Sequence, residues 1–117
     1  MAADFEAINK LVESYASDVS TVFPVDKVVL FGSHAKGVAT AQSDIDVCFF
    51  LSSFGDRRRV DILKELLGLM HNYKRVHFEP TVFPTAEIQN DNPFVKEILR
   101  TGIEVNLNSL APMSIKS

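Results

Sequence analysis

Residues 44–51, Asp-Ile-Asp-Val-Cys-Phe-Phe-Leu, constrain this chain more than any other stretch. From Ile45 onward the run is β-branched, aromatic and apolar, which reads as a strand, yet two acids stand at its mouth. Residues two apart on a strand share a face. Asp44 and Asp46 therefore project side by side, roughly 7 Å apart at the backbone, while Ile45 and Val47 point into the opposite layer. Cys48 and Phe50 continue the acids' face as apolar residues, so the carboxylates belong at the strand's entrance, on a sheet rim that water and ligand can reach. Buried without partners they would be costly, and each would shift toward its neutral form.

The remaining elements are read from periodicity and punctuation. Phe5, Ile8, Leu11, Val12, Tyr15 and Val19 recur at three- and four-residue steps and predict a helix over about 4–19, ended by Pro24. Residues 25–31 form an apolar, β-branched strand closed by Gly32. From Asp56 a second helix presents Val60, Leu63, Leu66, Leu67 and Met70 on one face, and residues 75–83 form a third strand. Asn92 and Pro93 supply a cap and a first-turn proline for a helix with Val95, Ile98 and Leu99 on its apolar face, which Gly102 closes before a short strand at 103–107. Phe5, Tyr15 and Phe94 are expected in the core. The order is helix, strand, short helix, strand, helix, strand, helix, strand: an α/β (α+β) layer structure with a mixed β-sheet flanked by helices. The connection over 52–74 is long enough for a helical crossover, which permits parallel pairing of 44–51 with 75–83 and leaves the pairing of 25–31 open. With 117 residues the chain is expected to be one domain, with its core over about 4–107 and a frayed tail at 108–117.

Composition removes several functions. The formal charge of -3 gives no general basic field, so nucleic acid is disfavoured as a partner. The apolar runs fall far short of the roughly 20 residues that cross a bilayer, so no membrane span is expected. Cys48 is the one cysteine and no His/Cys spacing matches a zinc site. The first residues have neither a basic nor an apolar signal region, which predicts a reduced, cytoplasmic protein.

Ten residues separate Ser33 from Asp44, and the two sides of that gap differ in chemistry. Gly32 permits close backbone approach, Ser33 adds a hydroxyl, and the N–H groups of a helical turn opening there favour an anion. On the far side, a divalent cation would relieve repulsion between the two aspartates, and Mg²⁺ prefers carboxylates completed by waters and substrate phosphates. One side can hold phosphate and the other a metal. A P-loop is excluded, because Val38 and Ala39 follow Gly37 where Lys and Ser/Thr are required.

Gly32-Ser33, the ten-residue gap and Asp44-Ile45-Asp46 resemble the signature of the DNA polymerase β-like nucleotidyltransferase superfamily. The segment LFGSHAKG...SDIDVCFF is more closely similar to the minimal nucleotidyltransferases, which occur as antitoxin partners of HEPN-domain proteins. The resemblance implies the polymerase-β-like nucleotidyltransferase fold, with Gly32 and Ser33 on the triphosphate and Asp44 and Asp46 holding Mg²⁺. It also calls for a third carboxylate on a neighbouring strand as metal ligand or base, and Glu79 is the match, with His77 the alternative proton acceptor. Lys36 is a candidate phosphate contact. The activity implied is Mg²⁺-dependent transfer of AMP from ATP to an acceptor hydroxyl on a partner protein, a HEPN-type toxin. At 117 residues the chain is expected to be too short for an added substrate domain, and acceptor recognition is then expected to fall to a homo-oligomer or a second protein. The alternative is a binding-only antitoxin that neutralises its partner by contact. Arg57, Arg58 and Arg59 could meet a phosphate, although a solvated helix face is their simpler reading.

Overall fold

In the computed structural model, which describes residues 5–40 and 42–106, the acid-headed strand is one of the two inner strands of the sheet. The elements run α1 (Phe5–Ser20), β1 (Val25–Phe31), α2 (Ser33–Lys36), β2 (Ile45–Leu51), α3 (Arg59–Leu69), β3 (Phe78–Pro84), α4 (Pro93–Thr101) and β4 (Ile103–Glu104), with 3-10 turns after α3 and β3. The sheet order is β3-β2-β1-β4. β2 pairs parallel with β3 and antiparallel with β1, and β1 pairs antiparallel with β4, so the sheet is mixed. The expected tail at 108–117 and the outer ends of the expected core, Asp4 and Leu107, lie outside the described residues.

β2 is apolar on both sides because both sides are covered. Ile45, Val47, Phe49 and Leu51 join the larger core with Val12, Tyr15, Ile62 and Leu66 of α1 and α3. Tyr15 stacks on Phe78 with ring centroids 4.4 Å apart, and its hydroxyl donates to the Leu66 carbonyl at 2.7 Å, so a buried polar atom of α1 also ties it to α3. Cys48 and Phe50 face the other way, into a smaller cluster with Val29, Phe83, Val95 and Ile98, which α4 closes. Asn92 caps α4 as its sequence indicates, its side chain accepting from the amides of Phe94 at 3.0 Å and Val95 at 3.3 Å. Pro80 is tolerated because β3 is an edge strand.

Some expectations of burial are corrected. Phe5 and Phe94 are 46% and 49% exposed. Phe5 opens α1 and projects beyond the main packing, while Phe94 lies edge-on to Phe31 at the rim of the smaller cluster. α3 begins at Arg59 and buries Ile62 and Leu66, leaving Val60 and Leu67 exposed. Its apolar residues cover more than one face, and the sheet selects the face that meets it. The third strand starts at Phe78, and Lys74 to His77 form the approach to it.

Candidate active site

The turn after β1 is shaped by what lies opposite. Gly32 has φ 75° and ψ -151°, a conformation that only glycine adopts readily. A Cβ built there would stand 2.1 Å from Oδ2 of Asp46, so the missing side chain is the space that the Asp46 carboxylate fills. α2 is a single turn: the Lys36 amide donates to the Gly32 carbonyl at 3.1 Å, and Gly37, at φ 76°, closes it in the left-handed region. The N–H groups ahead of Lys36 have no acceptor within that turn. Ser33 is half-buried at its start, and Lys36 is exposed at its end.

His34 is the residue that reading by motif overlooked. It is 6% exposed, and its Nε2 lies 3.3 Å from the carbonyl of Ser43, so it fastens the glycine-serine turn to the residue just before the aspartates. Its position between Ser33 and Ala35 gives no sign of this, because the contact spans the gap. The same entry is held on its other side, where the Ile45 amide donates to the His77 carbonyl at 2.9 Å.

The parallel register places Asp46 directly opposite Glu79, with Phe31 its partner on β1. Asp44, His77 and Glu79 are exposed and each offers one ligand atom within 4.8 Å of the others. Asp46 stands beside this trio, half-buried against Gly32. Its carboxyl is pushed above the usual range, first by burial, then by the charges of Glu79 and Asp44, with His34 acting in the opposite direction. Such a crowd of acids is suited to a cation, and the carboxylate oxygens are the hard ligands that Mg²⁺ accepts; the imidazole of His77 is softer and better suited to holding a proton.

The arginines are engaged elsewhere. Arg57 pairs with Glu65 and lies 4.7 Å over the Phe23 ring, and Arg58 binds the Asp61 carboxylate. Arg59 donates to the Val82 carbonyl at 2.9 Å and covers Phe83 at 4.3 Å.

Both the sequence and the fold are similar to those of known proteins. A family model described as a nucleotidyltransferase domain matches residues 9–113. The chain is 25% identical over 103 residues to a candidate protein adenylyltransferase of Methanocaldococcus jannaschii, covering 84% of this chain and 98% of that one. The fold is similar to the crystal structure of a candidate nucleotidyltransferase from Sulfolobus solfataricus, with TM-score 0.60 and 21% identity over 86% of this chain and 80% of the other. It is also similar to a toxin-antitoxin crystallised with AMP-PNP, with TM-score 0.51 and 13% identity over 89% of this chain and 82% of that one.

Proposed function

The chain belongs to the nucleotidyltransferase domain family, and from that premise we propose that it transfers AMP from ATP to a hydroxyl of a partner protein. The observation that carries this reading is the Asp46–Glu79 register, which sets Asp46 between the Gly32 turn and the cluster of Asp44, His77 and Glu79. Gly32 and Ser33 receive the triphosphate through backbone N–H groups and a hydroxyl, and Lys36 adds a positive charge at the end of the same turn. Asp44, Asp46 and Glu79 would hold Mg²⁺, which supplies charge stabilisation to the phosphoryl oxygens. The acceptor oxygen forms a bond to the α-phosphorus, the bond from that phosphorus to the bridging oxygen of pyrophosphate breaks, and the hydroxyl proton passes to Glu79 or His77. Supporting a protein acceptor are the M. jannaschii relative and the toxin-antitoxin neighbour; a HEPN-type toxin in the cytoplasm is the partner we put forward.

Incubating the chain and the product of its neighbouring gene with Mg²⁺ and ATP tests the reading. Label at the α-phosphate should enter the partner covalently, label at the γ-phosphate should not, and Asp44→Asn and Asp46→Asn should each reduce transfer by orders of magnitude while remaining folded. A stable complex that never takes up α-label would instead establish the binding-only antitoxin.

A further inference from the structure

Three cavities meet at His77. One of about 550 Å³ lies between Ile8 of α1, His34 of α2, Ser43 and the 74–77 segment. A second of about 550 Å³ shares Lys74, Val76 and His77 and reaches Leu67 on α3. A third of about 280 Å³ shares Leu67 and His77 and opens at Glu79. Through these shared walls they form one groove across the approach to β3, and it ends at the His77, Glu79 and Asp44 cluster. Ile45 lines the groove, and strand alternation points Ile45 away from the face that carries Asp46. The groove thus comes to the carboxylates from beneath the sheet, whereas the Gly32 turn packs on Asp46 above it.

Its charge is opposite to that of the protein. Among the described residues no carboxylate lines either larger cavity, while Lys74 and Arg75 stand exposed with no ion pair or hydrogen bond. Leu67, 49% exposed, and Val76 give the groove apolar wall as well. We propose that this groove is the acceptor site and takes a polypeptide segment with an acidic residue close to the hydroxyl that receives the nucleotide. Lys74 and Arg75 hold the acid, Val76 and Leu67 meet its apolar flank, and the hydroxyl reaches His77 and Glu79. This rests on the transfer reading above. A single-stranded nucleic acid fits less well, because such sites stack bases on free aromatic faces. Neither Tyr73 nor Phe78, which line the groove, is free: Tyr73 lies edge-on to Tyr15 and Phe78 with its hydroxyl bound to Asp18 at 2.7 Å, and Phe78 is buried and stacked on Tyr15.

Binding tests the proposal without requiring turnover. A fluorescein-labelled peptide with one tyrosine between glutamates, its twin with lysines, and a labelled oligonucleotide are titrated with the full chain by anisotropy, and Mg²⁺-ATP is titrated by calorimetry. The acidic peptide should bind best, and Lys74→Glu with Arg75→Glu should weaken it by about ten-fold or more. The control reversal Lys96→Glu with Arg100→Glu on α4 should leave it unchanged, as should Mg²⁺-ATP affinity in both variants. If the reversal at 74 and 75 unfolds the chain, Lys74→Met with Arg75→Met keeps the stems and should show the same loss. Equal binding of the two peptides, an unchanged acidic-peptide affinity in the groove variant, or preference for the oligonucleotide overturns the proposal. So does a groove variant that loses Mg²⁺-ATP, since the groove would then be the nucleotide's. A wild-type chain that binds no Mg²⁺-ATP defeats the transfer reading, and the peptide titrations still judge the groove.

Discussion

Asp46 touches the Gly32 turn on one side and faces Glu79 on the other, and its environment makes its charge expensive to keep. An acid whose pKa is raised on folding binds its proton more tightly in the folded chain, so stability declines as pH climbs from the unfolded value of about 3.9 to the raised folded value. Asp46→Asn preserves shape and removes the charge. It should therefore melt above the wild type at neutral pH, with the difference closing as pH falls toward about 3.9 and narrowing when Mg²⁺ is added to the wild type. Thermal denaturation across pH checks this, and a variant that melts lower at neutral pH would show that the charge is stabilised. Glu79 and His77 divide a different question. At saturating ATP in single-turnover labelling, Glu79→Gln should slow transfer more than it weakens nucleotide binding, because a base or metal ligand acts mainly on the transition state. An unchanged rate for Glu79→Gln with a collapsed rate for His77→Ala would assign the proton to His77. Cys48, on the same strand face, takes no part: burial pushes its thiol up to about 12 and leaves it inert.

Among the elements, β2 does most to place the site, since it is paired on both edges and buried on both faces and so carries Asp46 on a rigid base. α4 must hold the smaller face closed, and its exit is tight. A Cβ at Gly102 would lie 2.4 Å from Cγ1 of Val29 and 2.5 Å from the carbonyl of Ile98, which is helix backbone and cannot swing aside. Gly102→Ala should cost about 1–3 kcal/mol in urea denaturation. A cost below about 0.5 kcal/mol would mean that α4 shifts freely on the sheet. The arginine run shows how an element consumes side chains that look available in sequence: Arg58 and Asp61 form the first turn of α3, and Arg59 spans to β3.

At the scale of the molecule, nucleotide and metal should act together. ATP is expected to stabilise the chain far more with Mg²⁺ than with a chelator, by about 2.7 kcal/mol at one hundred times the dissociation constant. Equal shifts in melting temperature under both conditions would count against a shared site. Among the described residues no helix is long and apolar enough to cross a membrane, in agreement with the short apolar runs of the sequence. Short-range signals carried much of this: the glycine-serine turn, the paired aspartates, the Asn92 cap and the alternation that turns Glu79 away from Phe78 are all legible within a few residues, where backbone sterics and hydrogen bonding act. Periodicity alone cannot choose which apolar residues of α3 to bury: it points inward for Val60 and Leu67, which are exposed, and passes over Ile62, which is buried. The antiparallel course of β1, the pairing of Asp46 with Glu79, the buried link from His34 to Ser43 and the groove at His77 were decided only by the tertiary structure. Each joins residues distant in the chain, and packing of the two sheet faces, which no local preference encodes, selects among their possible pairings.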